Sequence, residues 1–141
     1  MEQLAINYWA VLVCGILAMV IGFVWYGPLF GKKWIEIVGM NYENEDKRKE
    51  MMKESRKLYV TQFILTLFQV WVLAYYIEGW KGASGLVNAL WIWSAFVVPT
   101  VAGACMWTAE APKIKWARFL IQAGYQLMVF VVFGFVLQTW K

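Results

Sequence analysis

The side chains of this 141-residue chain that could do chemistry are neutral hydrogen-bonding groups. Gln62, Thr66 and Gln69 recur at i, i+4 and i+7, and Gln122 and Gln126 at i and i+4 with Tyr125 beside them, so each set shares one face of a helix. Pro99-Thr100 lies in a third apolar stretch, where the proline leaves the Ala95 carbonyl without its usual helical donor and so produces a kink or a free acceptor. Groups of this kind exchange hydrogen bonds with a ligand or with one another. Two readings follow. In one, Gln62, Thr66, Gln69, Pro99, Thr100, Gln122, Tyr125 and Gln126 line a polar pocket; in the other, the glutamines bond across helices and fix their packing, each contributing about 0.6–2 kcal/mol.

Composition argues against catalysis. The chain has no histidine, which removes the usual triad base, the HExxH zinc site and ordinary haem ligation. Cys14 and Cys105 lie in separate apolar stretches and form no CxxC pair, so both read as buried reduced thiols. There is no glycine-rich phosphate loop. No Asp, Glu, Lys or Arg interrupts the interior of an apolar stretch, whereas proton-coupled pumps and small multidrug exporters depend on such a group. The expectation is a protein that is not an enzyme, with no metal and no cofactor.

These polar groups sit on four apolar stretches, Tyr8–Tyr26, Leu58–Ile77, Leu86–Met106 and Ala117–Leu137. Each is about 20 residues long, the length that a helix rising about 1.5 Å per residue needs to cross a hydrocarbon core of about 30 Å. With 62% apolar residues and no room for a soluble domain, residues 1–141 read as one all-α membrane protein, a bundle of four transmembrane helices. Met1, Glu2 and Gln3 carry no basic charge, so the first stretch is a poor signal peptide. Gly27-Pro28 is expected to end helix 1, and Leu29 to Val38 to form a short amphipathic piece in the headgroup layer. Asn41 or Asn44 can cap a helix with an acidic first turn and a basic end at Arg56 and Lys57, running unbroken into helix 2. Residues 28–57 thus form a cytoplasmic helical extension between helices 1 and 2.

Charge orients the bundle. The segments after helices 1 and 3 hold Lys32, Lys33, Lys47, Arg48, Lys49, Lys53, Arg56, Lys57, Lys113, Lys115 and Arg118, eleven basic residues against Lys81 and Lys141 on the other side. The positive-inside rule then puts the basic segments in the cytoplasm and both termini on the periplasmic or exterior face of a bacterial inner membrane. Trp9, Trp80, Trp91 and Trp140 fall at one interface and Trp25, Trp34, Tyr59, Trp107 and Trp116 at the other, which accounts for much of the count of ten tryptophans. Between Lys32 and Lys57, eight basic residues are interleaved with six acidic ones at helical spacing. That pattern describes a solvated helix rather than a nucleic-acid surface, with weak attraction to anionic lipid.

Residues 58–81 laid over 118–141 align Gln62 with Gln122, Leu67 with Leu127, Val72 with Val132, Trp80 with Trp140 and Lys81 with Lys141. Trp9 to Trp25 and Trp91 to Trp107 also share one spacing. The echo reads either as two repeated helical hairpins or as the likeness that apolar helices share by chance. Helix 1 carries small residues every fourth position, Ala10, Cys14, Ala18 and Gly22, with Gly15 alongside, a seam for close helix packing within the subunit or across a homo-oligomer. Ala102, Gly103 and Ala104 offer a second such surface on helix 3.

Several short patterns recur in order along nearly the whole chain: Trp25-Tyr26-Gly27-Pro28-Leu29-Phe30-Gly31-Lys32, Tyr59 with Phe63, Phe96-Val97-Val98-Pro99, Trp107, Ala123-Gly124-Tyr125, Gly134 and Trp140. In these the chain resembles a family of bacterial four-helix membrane proteins, number seventeen sixty-one among the domains of unknown function. Gly27 stands where members of that family often have serine, and Glu110 lies further beyond Trp107 than the family's usual acidic residue. The resemblance implies a four-helix bundle and no particular activity. The leading expectation is a small inner-membrane protein, partnered by membrane lipids and by further copies of itself, that binds a lipid or small neutral molecule or helps it cross. The alternative is a structural or regulatory subunit whose cytoplasmic helix engages a protein partner.

Overall fold

The computed structural model describes residues 5–38 and 45–140, and among these every regular element is helical. The elements are α1 (Tyr8–Val24), a π-helical turn (Trp25–Leu29), α2 (Gly31–Val38), α3 (Glu45–Gly79), α4 (Gly85–Ile92), a second π-helical turn (Trp93–Val97), α5 (Val98–Met106) and α6 (Pro112–Thr139). They make four segments long and apolar enough to span a bilayer: Tyr8–Leu29, Lys53–Gly79, Gly85–Met106 and Pro112–Thr139. The chain is a multi-pass membrane protein.

Pro28 and Pro99 are both accommodated by widening the helix. Gly27-Pro28 does not end the first span, contrary to the expectation. The Phe30 amide instead reaches back five residues to the Trp25 carbonyl at 3.0 Å, and the additional residue in the turn absorbs the donor that Pro28 lacks. Ahead of Pro99 the Val98 amide makes the same five-residue reach to the Trp93 carbonyl, and the Thr100 hydroxyl donates to the Phe96 carbonyl. α2 then folds back toward α6, with Trp34 edge-on to Tyr26 at 4.8 Å between ring centres and the Ile37 carbonyl accepting from Arg118 Nη2 at 3.5 Å.

α3 is a single helix of 35 residues, free of proline and of internal glycine, and it continues without a break from the charged extension into the second span as the sequence predicts. Asn41 and Asn44, the expected caps, lie outside the described residues.

α6 is the centre of the bundle, packing on α1, α4 and α5, while α3 packs chiefly on α1. The apolar core joins Ala10, Cys14 and Ala18 of α1, Val70, Leu73, Ala74 and Ile77 of α3, Ala89 of α4 and Val129, Phe130, Phe133 and Leu137 of α6. Traced along each helix, these residues occupy the half of the bundle that carries the chain's ends and the α3–α4 turn. We call this the terminal end and the opposite one the basic end.

Small residues decide how closely the helices approach. Ala10, Cys14 and Ala18 are buried within the subunit. A Cβ at Gly15 would lie 2.6 Å from Leu67 Cδ2 of α3, and one at Gly22 would lie 3.2 Å from the Tyr125 hydroxyl of α6. The tightest approach to backbone is between α4 and α6, where a Cβ at Gly134 would come within 2.8 Å of the Gly85 carbonyl oxygen. The expected second close surface, Ala102 to Ala104, is not formed at Gly103, whose Cβ would meet nothing within 4 Å among the described residues. Composition alone does not distinguish a seam from a face turned to lipid.

Polar side chains stitch the terminal end together. Asn7 Oδ1 caps α1 by accepting from the Trp9 and Ala10 amides, and its Nδ2 donates to the Trp140 carbonyl at 3.5 Å. Ser84 caps α4, Gln138 Oε1 accepts from the Leu86 amide at 3.2 Å, and buried Asn88 donates to the Trp80 and Ala83 carbonyls at 3.3 and 3.5 Å. The two halves of the chain differ where the internal echo aligns them, because Trp25 is half-buried and hydrogen-bonded while Trp107 is 87% exposed.

Candidate functional site

Below the core, toward the basic end, α6 becomes polar. Arg118, Gln122 and Tyr125 follow one another at four- and three-residue steps, with Gln126 alongside, so they share one side of the helix. Arg118, Gln122 and Tyr125 are each engaged by a different neighbour. The Tyr125 hydroxyl donates to the Ala18 carbonyl of α1 at 2.8 Å, in the space that Gly22 leaves open. Gln122 Oε1 accepts from Cys105 Sγ of α5 at 3.6 Å. Gln126 Oε1 is buried and has no hydrogen-bond partner.

Two tryptophans clamp this stretch of α6. Trp25 Nε1 donates to the Ile121 carbonyl at 2.9 Å and Trp93 Nε1 to the Ala123 carbonyl at 3.1 Å. Each indole opens one of the two π-helical turns, so the widened turns and the clamp belong together. Gly124 directly follows the second acceptor, and a Cβ there would sit 3.0 Å from the Trp25 ring, which therefore rests against bare backbone. Tyr26 extends the aromatic group, edge-on to Tyr125 with ring centres 5.4 Å apart.

At the basic end itself, Glu110 of the α5–α6 connection pairs with Arg118 at 2.6 Å, and both side chains are partly buried. A cavity of about 230 Å³ opens nearby, lined by Cys105, Met106, Pro112, Lys115 and Trp116. A second, shallow cavity of about 400 Å³ lies at the terminal end beside Trp80, Lys81, Ser84 and Gln138. Among the described residues no group of His, Cys, Asp or Glu could hold a metal ion.

The eight residues expected to line a pocket separate into three groups. Gln122, Tyr125 and Gln126 turn toward the interior. Thr66 is buried and Gln69 half-buried on α3, one turn below the core residues Val70 and Leu73. Gln62, Pro99 and Thr100 are exposed; Gln62 spends its amide on Thr66 at 3.2 Å and Thr100 its hydroxyl on its own helix. No hydrogen bond among the described residues joins the α3 group to the α6 group.

Sequence reasoning missed the tryptophan clamp, the Glu110–Arg118 pair and Asn88. The signals for the last two are present in the sequence. Asn88 is a lone amide near the start of an apolar stretch, and Arg118 stands one turn before Gln122 on the same helix.

Four apolar helices, two of them widened by π-helical turns and gathered on α6, define an integral membrane protein of the four-helix class. Within that class the chain belongs to the family described as "protein of unknown function (DUF1761)", which matches residues 9–138. No curated protein and no solved structure matches it.

Proposed function

We propose that this membrane protein binds a lipid or a small neutral molecule, or passes it across, through the polar layer that begins where the core ends. The observation that carries this reading is the Gln126 carboxamide, whose oxygen is buried without a donor. An unpaired buried acceptor costs about 1–3 kcal/mol, a cost removed when a ligand hydroxyl or N–H reaches it. Gln122, Tyr125, Thr66 and Gln69 at neighbouring levels supply the other polar groups of such a layer.

Gln126→Leu tests it by thermal unfolding in detergent. The variant should be as stable as the parent or more so, because an unpaired polar group becomes an apolar one, and should lose the stabilisation that added lipid extract gives the parent. Destabilisation by more than about 1 kcal/mol with no change in lipid response would assign Gln126 to packing instead.

The reading includes an orientation, with the basic end cytoplasmic and the termini periplasmic in a bacterial inner membrane. A cysteine at Lys113 should be protected from a membrane-impermeant thiol reagent in intact cells, and one at Gly82 labelled. The reverse pattern would invert the topology.

A structural or regulatory role is the second reading, favoured by one observation. α3 continues from Lys53, the start of the span, back to Glu45, about 12 Å of helix beyond the membrane segment, with Glu50, Lys53 and Glu54 exposed to a partner.

A further inference from the structure

We propose that Glu110 and Arg118 form a site for a zwitterionic phosphoamine headgroup, that of a phosphatidylethanolamine lipid. The two side chains meet through a single contact, Arg118 Nη2 to Glu110 Oε1 at 2.6 Å, and Nη2 also reaches the Ile37 carbonyl at 3.5 Å. A fork-to-fork pair would place a second guanidinium N–H on the second carboxylate oxygen. Here Arg118 Nε and Glu110 Oε2 are each buried without a partner. The site therefore holds one strong donor and one strong acceptor that do not satisfy each other.

Charge selects the ligand. The pair is neutral overall, so a lone phosphate gains at the guanidinium and loses at the carboxylate. A headgroup that carries both a phosphate and a primary ammonium answers both atoms at once, the phosphate accepting from Nε and the ammonium donating to Oε2. The side chains remain 23% and 29% exposed, so the pair can be approached from outside, and the headgroup reaches the two shielded atoms by a small outward shift of these partly exposed side chains. Exposed Trp107 and Trp116 flank the connection, as aromatic residues do at headgroup depth. The cavity beside Met106, Pro112 and Trp116 offers the glycerol ester and first methylenes a place next to the headgroup. The site is separate from Gln126, so the two readings can fail independently.

The test uses the full chain in detergent and native mass spectrometry of retained lipid, with phosphatidylethanolamine, phosphatidylcholine and phosphatidylglycerol in competition. The parent should retain phosphatidylethanolamine roughly tenfold over phosphatidylcholine, whose methylated ammonium has no proton to donate, in line with one charge-assisted hydrogen bond. Glu110→Gln should abolish that preference, because it removes the anion to which the ammonium donates; Arg118→Lys keeps the charge and removes the Nε donor to the phosphate, so it should lower retention of phosphatidylethanolamine and phosphatidylcholine alike, and it serves if the glutamine variant fails to fold. Equal retention of the three lipids by the parent, an undiminished preference in Glu110→Gln, or undiminished lipid retention in Arg118→Lys, overturns the proposal. A thermal shift with soluble O-phosphoethanolamine but no preference for the lipid also overturns it, in favour of a soluble ligand.

Discussion

Leucine at position 134 should separate α4 from α6 and cost about 3 kcal/mol, at the upper end of what overpacking a tight interface exacts. The reason lies in which atoms stand in the way. A Cβ at Gly134 would meet the Gly85 carbonyl oxygen at 2.8 Å, the Leu86 Cα at 2.9 Å and the Ala89 Cβ at 2.9 Å, and the first two are backbone, which no rotamer change can move aside. Across the same contact, a Cβ at Gly85 would lie 2.8 Å from the Gly134 carbonyl oxygen, so the helices touch through both glycines. Gly103→Ala is the matched control: its Cβ enters open space in a helix, where alanine exceeds glycine in helix propensity by up to about 1 kcal/mol. Denaturant titration of the two variants should show a large loss in one and no loss in the other. A Gly134→Leu protein within about 0.5 kcal/mol of the parent would mean that the α4–α6 contact is not as close as described.

Asn88→Asp should be the most damaging conservative change in the chain. Asn88 is 2% exposed, and its amide nitrogen donates to the Trp80 and Ala83 carbonyls, closing the α3–α4 turn over the start of α4. Aspartate keeps the shape but sets a carboxylate against two carbonyl oxygens, which adds repulsion to the lost bonds. We expect a loss of about 3 kcal/mol for Asp and about 2 kcal/mol for Asn88→Leu, which only leaves the carbonyls unpaired. Thermal unfolding ranks them; leucine being worse than aspartate would show that the side chain acts by volume rather than by donating.

The spans were legible because length and apolarity are properties of one helix at a time. The same holds for the unbroken α3, whose charge pattern flows into its apolar run with no proline or glycine between them. What escaped were properties of two helices together. The i, i+4, i+7 spacing places Gln62, Thr66 and Gln69 on one face but cannot say which neighbour that face meets, and in the fold Thr66 turns inward while Gln62 turns out. Gly134 and Gly103 look alike in sequence, and only the partner across the gap distinguishes them. Pro28 shows a different limit. The rule that proline ends a helix assumes α geometry, and the turn at Trp25 to Leu29 avoids the penalty by leaving that geometry.

α3 also has a mechanical property. Its grip on the bundle is one-sided, from Thr66 and Leu67 through Val70, Leu73, Ala74 and Ile77, toward its C-terminal end. From Leu73 to Glu45 the helix extends about 42 Å, against about 9 Å from Leu73 to Gly79. A helix held in this way can act as a lever with its fulcrum near one end. A tilt of about 5° about Leu73 sweeps the far tip by about 4 Å while the packed side chains shift by less than 1 Å, within what a close-packed contact tolerates. A small rearrangement beside Thr66 and Gln69 that tilts the helix would therefore become a larger displacement at its far tip, and a load applied to the tip would return to the polar layer as torque.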